Sequence, residues 1–354
     1  MKKVFVDFHI IQTLPPSCVN RDDTGSPKTA IYGGVRRARV SSQAWKRAMR
    51  LMFKEYLDES ELGSRTKKIV DMVAGEILAK DSTKSQDDAK SLAEKIINTA
   101  NVTTKDAEAK ALFFMSRKQA ENLAELVLRN PKATKKEAQA VLNMGHGVDV
   151  ALFGRMVAED PSLNTDASAQ VAHCISTHKV SNEYDYFTAV DDRSSDDNSG
   201  AGMLGTIEYN SATLYRYATV AAHELFSQLA DDGAALEKAI NEFARAFITS
   251  MPTGKQNTFA NRTMPDAVIV AVRHDSPVNL SGAFEEPIKG EGYSRQSILR
   301  LIEYSDQIYE DFCGKPTKTY VIGNVPCDPG ARVGLPVMLA NLGKDICNML
   351  GVRS

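Results

Sequence analysis

Between Arg21 and Arg50 the sequence places eight basic residues (Arg21, Lys28, Arg36, Arg37, Arg39, Lys46, Arg47 and Arg50) against two acids, Asp22 and Asp23. That segment carries a charge of +6 in a chain whose formal net charge is −2, so the remainder sums to −8. Positive charge is therefore concentrated, and it is concentrated beside a helix start, where Ser41 or Ser42 can cap and Gln43, Lys46 and Arg50 share one helical face. Backbone N–H groups at a helix N-terminus, hydroxyls and guanidinium forks suit phosphate oxygens. Nothing in the segment reads base edges, so the chemistry it suits is sequence-independent attachment to a single-stranded nucleic acid. A merely solvated basic face accounts for the charge alone equally well.

Tyr184, Tyr186 and Phe187 form an aromatic group, and aromatic stacking on bases tolerates any sequence. In strand alternation the two tyrosines share one face and Phe187 takes the other, so base stacking and anchoring to the core are both open to them. Tyr215 and Tyr217 sit in a strand pattern and are expected to be structural.

Catalytic signatures are sparse. Asp22-Asp23, Asp191-Asp192 and Asp196-Asp197 could attract Mg²⁺, but none has an identifiable third ligand. H-E-x-x-H, G-x-S-x-G and C-x-x-C are absent from the sequence, and no Gly-rich phosphate loop is expected. The five cysteines are scattered, and His173 and His178 are badly spaced for shared metal ligation. The expectation is a protein with no enzymatic activity, no metal and no cofactor.

The elements that must position these residues follow from periodicity. Lys3–Ile11 alternates, with Val4, Val6, Phe8 and Ile10 on one face and Phe5, Asp7, His9 and Ile11 on the other; this is a strand, which Pro15-Pro16 should end. Asn20–Lys28 reads as loop, Gly33-Gly34 as a turn, and Trp45, Ala48, Met49, Met52 and Tyr56 as the apolar face of a helix. Residues 58–143 have helix-forming composition and look like an inserted helical lobe. Val148–Met156 alternates and predicts a second central strand, Ala167–Thr177 a short helix, and Ser181–Thr206 a protruding hairpin with an acidic tip. Ile207–Val220 (strand), Ala234–Ser250 (helix) and Ala267–Arg273 (buried strand) then complete a β-α-β-β-α-β order, the ferredoxin-like arrangement on which the RNA-recognition fold is built. Ser294–Phe312, Thr319–Val325 and Pro336–Leu350 add a helix, a strand and a helix. No stretch approaches the ~20 apolar residues of a membrane span, and the start reads as a strand, not a signal peptide, so a cytoplasmic location is expected.

Several blocks resemble one family: Pro15 to Asp23, Ala30-Ile31-Tyr32-Gly33-Gly34, Arg36 to Arg50, Val148 to Met156, Phe187 to Asp192, Leu204-Gly205-Thr206 through Ala218, and Gly254-Lys255-Gln256. They are similar, in the same order, to the backbone subunit of the type I-E CRISPR surveillance complex, Cascade (the CasC family). The resemblance implies an α+β subunit with an RRM-like palm (residues 1–57, 144–180 and 207–354), helical fingers (58–143) and a thumb hairpin (181–206). It further implies that many copies polymerise along the spacer of one crRNA, leaving most bases free to pair with target DNA in antiviral defence, beside other Cascade subunits. Carried onto this chain, the RNA-binding residues are Arg21, Lys28, Arg37, Ser41, Gln43, Lys46, Arg50, Met156, Phe187, Thr188 and Lys255. The rival is a metal-dependent ribonuclease of related CRISPR systems using Asp22 or Asp23.

Overall fold

A computed structural model of the chain describes residues 2–190, 200–325 and 330–353. The first strand, β1 (Phe5–Ser17), is central because both its faces are apolar enough to bury. Val4, Val6, Phe8 and Ile10 enter one core and Ile11 another on the opposite side of the sheet, which is the consequence of a period of two. The strand does not end at Pro15-Pro16 as expected: it continues to Ser17, and the prolines occupy a register irregularity between Leu14 and Ser17 where no ladder N–H is required of them. The basic segment that follows is not open loop throughout. β2 (Thr29–Tyr32) and β3 (Val35–Val40) form a hairpin around Gly33 and Gly34, both at positive φ, before α1 (Ser42–Tyr56) begins.

The next segment builds a core of its own from β4 (Gly63–Thr66), α2 (Ile69–Lys80), α3 (Gln86–Thr99), β5 (Thr104–Lys105), β6 (Glu108–Ala109), β7 (Phe113–Ser116), α4 (Arg117–Arg129) and α5 (Lys135–Leu142). Ile77, Leu123 and Ala93 lie fully buried at its centre.

Two expectations fail here. Val148–Phe153 is a helix, α6, running from Gly147 to Gly154, whose φ of +75° terminates it. Its alternation misled because Val148, Asp149, Val150, Ala151 and Leu152 are all buried, so no exposed face betrays the helical period. The second strand position is taken instead by β8 (Ala169–Val171) and β9 (Cys174–Ser176), where a helix was expected; both pair antiparallel with the long strand Gly200–Ala221.

β10 (Glu183–Val190) and β11 (Gly200–Ala221) make the predicted hairpin, with β11 continuing into the sheet beside β1. The expected acidic tip, from Asp191 to Ser199, lies outside the described residues. α7 (Ala222–Gln228), α8 (Gly233–Thr249), α9 (Gln256–Phe259), β12 (Ala267–Arg273), α10 (Tyr293–Ile308), β13 (Lys318–Gly323), β14 (Ala331–Arg332) and α11 (Leu335–Leu350) complete the chain.

The main sheet runs β14-β13-β12-β1-β11-β9-β3-β2, antiparallel throughout except for β13 with β14. α1, α8 and α11 cover the face carrying Phe8, and α10 covers the face carrying Ile11. In chain order the central part reads β1, α1, β8/β9, β11, α8, β12, with β8/β9 in place of the expected second strand. Among the described residues no helix is long and apolar enough to cross a membrane.

Candidate nucleic-acid interface

α1 is set in place by its own sequence. Ser41 caps it, its Oγ accepting the Ala44 N–H at 3.3 Å, while Trp45, Ala48, Met49, Met52 and Phe53 bury one face. Trp45 stacks on the buried guanidinium of Arg216 at 3.7 Å, which fixes the helix rotation. Tyr56, expected on that apolar face, is instead exposed beneath Arg245 at 4.6 Å. The other face presents Gln43, Lys46, Arg47 and Arg50.

These four side chains line one wall of an open groove of about 850 Å³. Arg65 of β4 and Phe114 of β7 contribute a second wall, and the loop after α6 a third through Met156, which is 80% exposed. Sequence reasoning grouped Gln43, Lys46 and Arg50 with Met156, and the fold does bring them together. It missed Arg65, whose place at the groove depends on β4 pairing with β7 some fifty residues later. No local pattern around Arg65 signals that pairing.

The cations of this groove are not equivalent. Arg50 donates from Nε to Asp149 Oδ2 at 3.0 Å and stacks on Phe114 at 4.4 Å. Asp149 is 2% exposed and also accepts the Gly63 N–H at 2.7 Å; burial raises its carboxyl pKa, and the Gly63 bond and the Arg50 charge oppose that rise. Lys46 lies 5.5 Å over the Phe153 ring, and partial burial lowers its ammonium pKa. Among the described residues no carboxylate pairs with Lys46, Arg47 or Arg65.

Arg21 lies on the loop from Val19 to Gly25, onto which Gly254 packs closely, a Cβ there falling 2.3 Å from the Val19 carbonyl oxygen. Lys255 follows at a positive φ of 49°, and both it and Arg21 are near enough to Cys18 to lower its thiol pKa against the dominant effect of burial. A shallow depression floored by Val19 and Arg47 connects this loop to α1. Lys28 belongs to a separate patch with Arg39 and His173, where Arg39 Nη1 sits 3.2 Å from His173 Nδ1. Burial, with these two charges, lowers the His173 pKa.

Two expected contacts are corrected. Arg37 is fully buried, with Nε bonded to the Tyr32 carbonyl, Nη1 to that of Ser176 and Nη2 to those of Phe284 and Glu285. Four of its five N–H groups tie the β2–β3 hairpin to β9 and to the Phe284–Glu285 segment, and full burial keeps the guanidinium from a phosphate. Ser41 is likewise buried and committed to its cap. Asp22 is committed too: Oδ1 accepts from Thr24 Oγ1 at 2.7 Å and from the Thr24 and Ser26 N–H groups, bonds that hold its carboxyl below the usual range.

Phe187 and Thr188 stand on the hairpin opposite Gly205 and Leu204, and among the described residues β10 pairs with β11 alone. Counting from Asn210, the last β11 residue paired with β1, Phe187 lies about 17 Å out along the strand. Its ring, 38% exposed, covers Gly205, where an added Cβ would fall 2.3 Å from Cζ. Gly205→Val should therefore lift the ring off the strand and weaken any RNA complex about tenfold, while leaving the urea midpoint within ~0.5 kcal/mol of wild type, since the site is remote from the core. Tyr184 and Tyr186 are exposed along the same strand, whereas Tyr215 and Tyr217 are buried, as expected.

A family model described as CT1975-like protein matches residues 6–334. Two solved structures share the fold across nearly their whole length. A chain of a CRISPR RNA-guided surveillance complex in a pre-nicking state is 32% identical with a TM-score of 0.82, covering 97% of this chain and 100% of that one. A chain of a second CRISPR RNA-guided surveillance complex is 29% identical with a TM-score of 0.64, covering 96% and 99% respectively. No curated protein sequence matches the chain. With a match spanning residues 6–334 and the ordered N-terminal blocks already similar to the Cascade backbone subunit, the chain belongs to the CT1975-like protein family.

Proposed function

We propose that this protein is a non-catalytic crRNA-binding backbone subunit of a type I-E Cascade complex. In this reading the sheet with α1 and α8 is an RRM-like palm, the 58–143 lobe the fingers and the β10–β11 hairpin the thumb. Copies polymerise along the spacer, each hairpin reaching a neighbour, and the bases left free pair with target DNA beside other Cascade subunits. The observation that carries it is the groove on α1, where Lys46, Arg47 and Arg65 lack acidic partners beside the exposed thioether of Met156. Cations without carboxylate partners facing an open groove suit a polyanion, and an exposed apolar side chain among them suits base faces. Attachment through phosphates suits a guide whose sequence varies, because pairing supplies the specificity.

Native mass spectrometry of the chain with single-stranded RNAs of increasing length tests this. Bound copies should rise by one for each fixed increment of nucleotides, whatever the sequence; one copy bound at every length would refute polymerisation. Adding Mg²⁺ and target RNA tests the non-catalytic claim, and regularly spaced fragments that vanish in Asp22→Ala or Asp23→Ala would replace it with the ribonuclease reading.

A further inference from the structure

On the α10 side of the sheet, away from the basic groove, lies a cavity of about 300 Å³, at the small end of the range for small-molecule sites. Its floor comes from three adjacent strands, with His9 on β1, Ala271 on β12 and Thr319 on β13. Ile302 of α10 and Tyr309 roof it. Tyr309 opens a π-helical turn, Tyr309–Cys313, of the kind that recurs at functional sites. Asp306 and Lys315 stand at its exposed mouth.

His9 is 1% exposed, and its Nε2 has no hydrogen-bond partner among the described residues. The tautomer follows from its neighbours. Tyr215 Oη accepts the Leu280 N–H at 3.1 Å, which leaves its own proton for His9 Nδ1 at 2.9 Å or Asn279 Oδ1 at 3.4 Å. Asn279 Oδ1 already accepts the Ser281 N–H at 3.0 Å, so the shorter bond to His9 is the better one. Nδ1 then accepts and Nε2 carries the hydrogen, an unpartnered buried donor on a residue of the cavity floor.

We propose that this cavity binds a small, partly apolar molecule whose carbonyl or carboxylate oxygen accepts a hydrogen bond from His9 Nε2. The aliphatic and aromatic walls take the apolar part, while at the mouth Lys315 attracts an anion and Asp306 opposes it. The site is independent of the RNA-binding groove, so either can stand without the other.

The test uses the full chain labelled with ¹⁵N-histidine, with His9→Gln assigning the ring resonance. Benzoate and benzamide are titrated separately as probes of a carboxylate and a neutral carbonyl. At least one is expected to move the His9 ring N–H resonance saturably. Filling the floor with Ala271→Leu, or the sheet-edge side with Thr319→Leu, should abolish the shift, and whichever variant folds suffices. A response to benzoate alone that falls several-fold in Lys315→Ala identifies the anion. The proposal is overturned if neither probe moves the resonance, if the filled variants respond as wild type does, or if the ring N–H shows contact with bound water only.

Discussion

Replacing Lys46, Arg47 and Arg65 together with alanine is expected to weaken binding to single-stranded RNA by about a hundredfold or more, at about 1–1.5 kcal/mol per lost charge-assisted contact. The loss should be the same for unrelated sequences, and the slope of log affinity against log salt should shallow by about 2, since each phosphate contact on a single strand contributes roughly 0.7. Fluorescence anisotropy across a salt series measures both. The choice of residues is a structural result. Arg50 looks interchangeable with Lys46 in the sequence, but removing it strands the buried Asp149 carboxylate, and a variant containing Arg50→Ala would lose ~3–5 kcal/mol of stability and confuse unfolding with lost binding. Unchanged affinity in the Lys46, Arg47, Arg65 variant would mean that the groove is only a solvated basic face.

Acidification should expose an opposed pair in the core. His9 is held neutral, its pKa pushed down to about 3 by burial and secondarily by the charge of Arg273. A base with a lowered folded pKa contributes stability above its unfolded value near 6.5 and loses it as pH falls below that. Asp7, one register step away, accepts from Tyr217 Oη at 3.0 Å and from the Val278 N–H at 2.8 Å, yet burial outweighs these bonds and raises it to about 6. An acid with a raised pKa has the reverse sign: its stability is full below its unfolded value of 3.8 and is lost as pH rises through about 6. Between pH 7 and 4.5 the His9 loss, ~2–3 kcal/mol, and the Asp7 gain, ~2 kcal/mol, nearly cancel at ~1.4 kcal/mol per pH unit. Asp7→Asn should therefore become acid-labile by ~2 kcal/mol more than wild type over this window, and His9→Gln should gain stability on acidification. Urea midpoints at the two pH values decide it, and parallel pH profiles for all three proteins would count against the account.

How much of this could be read beforehand depended on whether an element keeps one face different from another. β1 was legible because its alternation sorts Phe8 and Ile10 from Ile11 onto two cores, and α1 because Trp45, Met49 and Met52 face away from Gln43 and Arg47. α8 and α11 were legible for the same reason, and β12 because its short unbroken apolar run suits a strand buried on both faces, all within a residue at most boundaries. α6 was not, since every residue from Val148 to Leu152 is buried, nor was the short β8–β9 pair, whose strand character is conferred by β11. At the site, Lys46 was singled out by its place on the basic face of α1 and Met156 by the family resemblance, and the fold sets both on one groove. The burial of Arg37, the neutralising role of Arg50 and the arrival of Arg65 were not, because each depends on a partner distant in sequence: Phe284 and Glu285, Asp149, and β7.

β11 is a single strand of 22 residues in which pairing passes from one partner to the next without a gap: Asn210 faces Ser17, and Tyr209 faces Glu183. It is therefore a cantilever, clamped over half its length between β1 and its other neighbours and projecting with β10 over the rest. A load at the free end is carried into the core as strain along a hydrogen-bonded ladder, and the reach of that end is fixed by rise per residue. If copies of this chain line up along a strand of RNA, their pitch is then a gauge cut into the protein, and the polymer adjusts to it.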